Sequence, residues 1–109
     1  MSLDPSDERR LQDIVDAIAN VRGFLPASGN PLTKKDEYSV SYGFVVIGEA
    51  VNGLSQDIRD ATPGVPWSDI INLRHLLAHR YWKIDFDLIQ EIIAKDLEPL
   101  DREARALLA

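Results

Sequence analysis

Apolar residues recur every three or four positions in the first quarter of the chain. They fall on one stripe of a helical wheel, whereas Asp13, Asp16 and Arg22 lie elsewhere around it. This spacing predicts an amphipathic helix from Asp7 to Leu25, which the proline- and glycine-containing loop of residues 26–31 ends. The apolar stripe comprises Leu11, Ile14, Val15, Ile18, Val21 and Leu25.

The hydrophobic pattern of the next segment supports two interpretations. Thr33, followed three residues later by Asp36, resembles a capping box, which starts a helix. Residues 38–46 nevertheless alternate between aromatic or β-branched side chains and other residues, which is typical of a strand. Further along, the apolar positions return to helical spacing, and the chain offers no partner strand elsewhere. We therefore predict a helix, in which Gly43 and Gly48 would suit close contact with a neighbouring helix.

The remaining pattern predicts at least two further helices. A Pro-Gly-Val-Pro turn precedes a helix that begins at Trp67 or Ser68 and ends near Tyr81. Asp85 is a favourable N-cap for a last helix, which Pro99 is expected to kink or restart. Four or five helices with short connections predict an all-α, up-and-down bundle.

Composition places this bundle among ordinary globular domains. The chain has 109 residues, of which 45% are hydrophobic and 28% charged, so one domain with one modest core is expected over residues 1–109. Cysteine is absent from the sequence, which excludes a disulfide scaffold and thiol chemistry. The sequence shows neither an apolar run of membrane-spanning length nor a basic-then-apolar leader. We expect a cytoplasmic protein with residues 1–5 disordered.

The net charge of −6 by itself argues against a nucleic-acid partner, because binding a polyanion depends on Lys and Arg. The charge is unevenly distributed, however. Residues 70–84 contain Arg74, Arg80 and Lys83 and no acid, so this basic window carries +3 and the rest of the chain −9. Both histidines, His75 and His79, fall in the basic window as well.

The basic window also contains the residue types that cut a phosphodiester without a metal. A group whose pKa lies near neutrality has to move a proton, and a fixed cation has to stabilise the charge that grows on the phosphate oxygens. His79 and Arg74 supply these two functions. On a helix, Arg74 and Tyr81 share a face and His79 lies about 140° further round, so a two-fold partner would bring two such pairs together.

Simpler interpretations apply to the same residues. A cation or histidine near the C-terminal end of a helix often does no more than interact with the helix dipole, and this role suits Arg80 and Lys83. His75 and His79 stand four apart, as two metal ligands on one helix would, but the sequence offers no third ligand at a suggestive spacing. We therefore expect no metal and no cofactor at this site.

Three segments together resemble the HepT-like branch of the HEPN-domain proteins. They are Ile47–Ala50 (IGEA), Pro63–Trp67 (PGVPW) and the R-x4-H-x-Y motif formed by Arg74, His79 and Tyr81. The segments follow the family's order and separations. The opening helix and the closing Leu-Glu-Pro-Leu segment fit as well, so the resemblance covers almost the whole chain.

The resemblance implies an all-α homodimer in which two motifs share one cleft, and a metal-independent ribonuclease toxin. It implies as partners an RNA substrate, of which tRNA is one candidate, and a nucleotidyltransferase antitoxin of the MntA type; it implies neither DNA nor a membrane. Arg74 would hold the scissile phosphate, and His79 would act as general acid or base. The antitoxin would transfer AMP onto Tyr81, whose added bulk and negative charge would close the site to RNA.

Two positions of the motif depart from the pattern of many relatives. His75 stands where Asn is common, and Arg80 stands where an acid is common. Together with Lys83 and Glu49 they are expected to support the site, although Glu49 suits packing or an interface as well as chemistry. A second hypothesis is a non-catalytic helical module that binds a nucleotidyltransferase or a nucleotide. A third is a structural dimerising bundle in which the motif is incidental.

Overall fold

The elements of the structure are helices, as the sequence pattern predicts. The computed structural model describes residues 3–25, 30–79 and 86–109, and these residues form five helices and no strand. The prediction of an all-α bundle is confirmed. The helices are α1 (Pro5–Phe24), α2 (Lys34–Gly53), α3 (Gln56–Asp60), α4 (Trp67–His79) and α5 (Phe86–Leu108).

Four of these helices, α1, α2, α4 and α5, form most of the core. α1 packs against α2 and α5, and α2 also packs against α4, so α1 and α2 occupy the middle of the bundle. The predicted stripe of α1 is confirmed, because its apolar side chains are buried in this core as far as Val21. The other helices contribute Val40, Phe44, Ile47 and Val51 from α2, Ile70, Leu73 and Leu77 from α4, and Leu97, Leu100 and Ala104 from α5.

α2 is a helix along its whole length, including the segment that alternates like a strand. The capping box forms as predicted: Thr33 Oγ1 accepts from the Asp36 backbone N–H at 3.1 Å, and Asp36 Oδ2 accepts from the Thr33 N–H at 3.0 Å. Val40 faces the core, whereas Tyr38 and Tyr42 are 74% and 71% exposed. The alternation in the sequence therefore arises from two exposed tyrosines one helical turn apart, next to the buried apolar stripe of the same helix.

A capped turn starts α1. α1 begins at Pro5, and its N-cap Asp4 accepts from the Ser6 N–H at 2.8 Å. Leu3, just before the cap, packs against the core. The cap and the proline in the first turn favour the start of a helix at this point.

The sequence pattern did not predict α3, because five residues are too few to show a helical period. Ser55 caps this helix by accepting from the Ile58 N–H at 3.4 Å, and Ile58 anchors it in the core. The Ser55 N–H in turn donates to Asp7 Oδ1 at 2.9 Å, which ties the start of α3 to α1.

Pro99 lies inside α5, so the helix does not restart there; the other expectation, a kink at Pro99, stays a prediction. Proline removes one hydrogen bond from a helix interior, which costs about 3 kcal/mol. Contacts on both sides of Pro99 offset this loss, because Leu97 and Leu100 are buried and Arg22 of α1 reaches α5 beyond the proline. Nη1 of Arg22 donates a hydrogen bond to Asp101 Oδ2 at 2.9 Å.

Candidate functional site

The motif arginine lies where α2 and α4 cross. Gly48 of α2 faces the stem of Arg74 on α4, and a Cβ at Gly48 would overlap Cβ and Cγ of that side chain. Gly43 makes a similar contact with Val21, so the same helix uses one glycine against α1 and another against α4. The expectation that both glycines allow close helix contact is confirmed. Because Gly48 has no side chain, the stem of Arg74 can lie directly against the backbone of α2.

The Pro-Gly-Val-Pro-Trp turn determines where α4 begins. Trp67, the first residue of α4, is buried, and its indole Nε1–H donates to Thr62 Oγ1 at 3.1 Å. The Thr62 hydroxyl donates to the carbonyl of Ile58 at 2.8 Å, so the turn is held against α3. The Val65 N–H donates to the Thr62 carbonyl at 3.1 Å and closes the turn. These bonds set the start of the helix that presents the motif.

Arg74 is paired with Glu49, the glutamate of the IGEA segment. Arg74 Nη2 donates to Glu49 Oε1 across the α2–α4 crossing, and the side chains are 28% and 53% exposed. Arg74 Nε is buried and has no hydrogen-bond partner among the described residues. A half-exposed ion pair of this kind contributes on the order of 0–1 kcal/mol to stability.

This ion pair changes the charge argument made from the sequence. Residues 70–84 carry +3 as a stretch of sequence, but the fold brings a carboxylate from outside that stretch onto one of its three cations. The charge at Arg74 is therefore locally compensated. Charge summed along the chain could not show this, because Glu49 and Arg74 are 25 residues apart.

The structure places two of the other predicted site residues, both on α4. His75 follows Arg74 on this helix with its side chain exposed. The backbone of His79 ends α4. Arg80, Tyr81 and Lys83 lie outside the described residues, as does the predicted N-cap Asp85. The structure thus brings Arg74 and Glu49 together. The roles of His79 and Tyr81 in the motif stay predictions.

A carboxyl group elsewhere in the bundle has a perturbed pKa. Burial raises the pKa of Asp96 on α5, and the neighbouring carboxylate of Asp69 on α4 raises it further. Asp96 lines a small apolar cleft with Phe44, Ile47 and Ile70, where α2, α4 and α5 meet. The sequence gives no signal for this group, because its surroundings come from three separate helices.

The described residues offer neither a metal site nor a membrane-spanning helix. No three of their histidine and acidic side chains lie together in an arrangement that would hold a metal ion. None of the helices they form has both the length and the apolar character needed to cross a membrane.

Comparison with known proteins identifies the family of the chain. Residues 14–107 match the family model described as "Ribonuclease HepT-like". The chain belongs to the HepT-like ribonuclease family. The family resemblance given by the three sequence segments is thereby confirmed. No solved structure matches the chain significantly.

Several named relatives match parts of the chain. The chain is 34% identical over 70 residues to "Putative RNase MJ1380" of Methanocaldococcus jannaschii, with 64% of each chain covered. It is 33% identical over 63 residues to "Putative RNase TTE0752" of Caldanaerobacter subterraneus, with 58% of this chain and 56% of the relative covered. A longer match, 26% identical over 93 residues, covers 83% of this chain and 84% of "Probable ribonuclease HepT" of Thermococcus cleftensis. The first two alignments therefore span somewhat more than half of those relatives' lengths.

Proposed function

We propose that this chain is a metal-independent endoribonuclease and the toxin of a HepT/MntA-type toxin–antitoxin pair in the cytoplasm. The observation that carries the proposal is the family match over residues 14–107. The R-x4-H-x-Y motif begins within that span, at the crossing where α2 fixes Arg74. The relatives cited above are all named as RNases, and these names support the same activity.

In the proposed reaction the substrate supplies the nucleophile. The 2′-hydroxyl of RNA attacks the adjacent phosphorus, the bond to the 5′-oxygen of the next nucleotide breaks, and a cyclic phosphate and a 5′-hydroxyl are formed. His79 moves a proton between these oxygens as general acid or base, and Arg74 stabilises the charge on the phosphate oxygens. DNA lacks the 2′-hydroxyl, so we expect it not to be cut.

The activity is tested with purified protein, labelled RNA and the matching DNA, in the presence of a chelator. His79→Ala is expected to lower the cleavage rate by roughly 10²–10⁴-fold, and Arg74→Ala by about 10²–10³-fold, because each removes one of the two functions. Arg102→Ala is the matched control, since it removes the same charge from an exposed position on α5. Cleavage that survives in the His79 and Arg74 variants at an unchanged fold would contradict the assignment.

We further propose that Tyr81 is the regulatory residue. The nucleotidyltransferase would transfer AMP from ATP to the Tyr81 hydroxyl and release pyrophosphate. The added phosphate would repel RNA where the motif binds it. Intact-mass spectrometry of protein produced with its neighbouring nucleotidyltransferase should show AMP additions that Tyr81→Phe removes. An unmodified protein that is nevertheless inhibited by the partner would rule out this switch.

The outward face of α2 supports the proposed homodimer. Tyr38, Tyr42 and Glu49 lie on one face of this helix at helical spacing, so an exposed aromatic surface leads to the Arg74 site. A two-fold contact along this face would bring two motif arginines together. Tyr42→Glu should then convert the dimer to a monomer and abolish cleavage, whereas Phe24→Glu, at another exposed aromatic residue on α1, should do neither. Light scattering after gel filtration measures the change, and an unchanged mass for Tyr42→Glu would place the interface elsewhere.

One observation favours the alternative of a non-catalytic module. Arg74 is already paired with a carboxylate, so its charge is partly compensated before any phosphate arrives. In this alternative the ion pair is structural, and the basic window binds a nucleotidyltransferase or a nucleotide without cleavage. Absence of RNA cleavage by unmodified wild-type protein, together with stable binding to the neighbouring nucleotidyltransferase, would favour the module.

A further inference from the structure

The geometry points to Glu49 as the positioning residue that orients the Arg74 guanidinium for the scissile phosphate. This inference rests on the proposed ribonuclease function and adds to it the role of a residue outside the motif. Glu49 acts through Arg74 and has no direct part in the chemistry.

The first step of the argument concerns the stem of Arg74. Gly48 lies against Cβ and Cγ of the arginine, so the base of the side chain is held by the backbone of α2. Glu49 is the next residue of that helix and reaches the other end of the same side chain. Two consecutive residues of α2 therefore contact Arg74 at both ends, and the direction of the arginine depends on where α2 lies.

The second step concerns the guanidinium group. Its Nε is buried and lacks a hydrogen-bond partner among the described residues, so this edge of the fork is turned into the protein. Nη2 donates to the carboxylate of Glu49, whose side chain is more exposed than that of Arg74. The contact between Nη2 and the carboxylate thus sets the rotation of the fork about the buried Nε edge.

The third step concerns catalysis. A guanidinium is planar, and its N–H groups serve a phosphate only when the plane is correctly turned. An arginine oriented in advance spends less conformational entropy when the transition state forms, and a misplacement of about 1 Å can cost about 10²-fold in rate. Because an ion pair at this exposure adds little to stability, its principal effect is on the direction of the fork.

The kinetic test compares Glu49→Gln and Glu49→Ala with Glu37→Gln, which removes a glutamate charge from the same helix. Glu49→Gln keeps an oxygen acceptor without the charge, so we expect kcat to fall roughly tenfold. Glu49→Ala removes the contact, and we expect a fall approaching 10²-fold. KM for RNA should stay the same or decrease, because a negative charge near the phosphate is lost. Glu37→Gln should retain the wild-type kcat.

Several outcomes would overturn the inference. They are a wild-type kcat in both Glu49 variants, a rise in KM at constant kcat, and an equal loss in Glu37→Gln, which would indicate a general charge effect. A melting temperature measured for each variant separates a loss of folded protein from a loss of rate per folded molecule.

A readout that needs no cleavage distinguishes failure of this inference from failure of the proposed function. In ¹⁵N spectra of arginine side chains, the held guanidinium of Arg74 should give separate Nη signals in the wild type. These signals should merge in Glu49→Ala, while exposed Arg102 should give averaged signals in both proteins. Averaged Nη signals for Arg74 in the wild type, or separate ones in Glu49→Ala, would refute the positioning role even if RNA is cleaved. If the wild type cleaves no RNA but the spectra behave as expected, the ribonuclease proposal fails and the orientation of Arg74 by Glu49 stands.

Discussion

The contact of α2 with α4 can be tested by adding a single methyl group. In Gly48→Ala the new Cβ would overlap Cβ and Cγ of Arg74. These atoms belong to the stem of the arginine and cannot swing aside as the tip of a long side chain can. The substitution therefore has to move α2 and α4 apart or displace Arg74.

Two opposing terms determine the size of the effect. Replacing glycine by alanine inside a helix stabilises it by about 1 kcal/mol. Forcing an extra carbon into a tight contact costs about 1–3 kcal/mol. We expect Gly48→Ala to lower the free energy of unfolding by up to about 2 kcal/mol. At Gly23 an added Cβ meets nothing within 4 Å, so Gly23→Ala should raise the free energy of unfolding by up to about 1 kcal/mol.

Urea unfolding followed by tryptophan fluorescence measures both variants against the wild type. Gly53→Ala serves as an intermediate case, because the atoms nearest its Cβ would belong to the flexible end of Arg10. The expected order of stability is Gly23→Ala first, then Gly53→Ala, then Gly48→Ala. If Gly48→Ala proved as stable as Gly23→Ala, the close approach at Arg74 would be refuted. RNA cleavage per folded molecule should also fall in Gly48→Ala alone, because only that variant disturbs Arg74.

Three carboxyl groups yield further predictions. Asp101, whose side chain is 10% exposed, bonds Arg22 at 2.9 Å, so Asp101→Asn should lower the free energy of unfolding by about 1–2 kcal/mol. Glu98→Gln should cost at most about 0.5 kcal/mol, because Glu98 is 64% exposed; equal losses in urea unfolding would contradict this reasoning. Asp96 has a pKa raised by burial and by Asp69, so the folded state binds its proton more tightly than the unfolded state does. Ionisation of Asp96 therefore lowers the free energy of unfolding as the pH rises from 3.8 through the raised pKa of the folded state. Asp96→Asn should increase stability at pH 7 and reduce this loss. A melting temperature at pH 7 equal to or below that of the wild type would contradict this prediction.

Local signals in the sequence were sufficient for most of the helices. The capping box at Thr33 and the turn before Trp67 depend on residues within a few positions of one another, so both could be predicted without the fold. The apolar period of α1 is likewise local. α3 was not predictable in this way, because a helix of five residues is held by the burial of Ile58 and shows no period of its own.

The segment around Tyr38 and Tyr42 shows where local pattern becomes ambiguous. Alternating aromatic and β-branched residues favour a strand, and only the packing of α2 between α1 and α4 shows which of them face the core. Pro99 is a related case. Its intrinsic preference ends a helix, but buried leucines on both sides and the Arg22–Asp101 pair hold α5 continuous.

The sequence by itself determined the helical class, the family and the identity of the motif arginine, because each depends on residue types at fixed spacings along the chain. Only the tertiary structure decided what surrounds that arginine. Gly48 and Glu49 lie on a different helix from Arg74, and a contact between residues 25 positions apart is set by how two helices cross. Summed along the chain, the basic window carries a charge of +3. At Arg74, however, the fold supplies the Glu49 carboxylate, which compensates the charge of the arginine and orients its guanidinium.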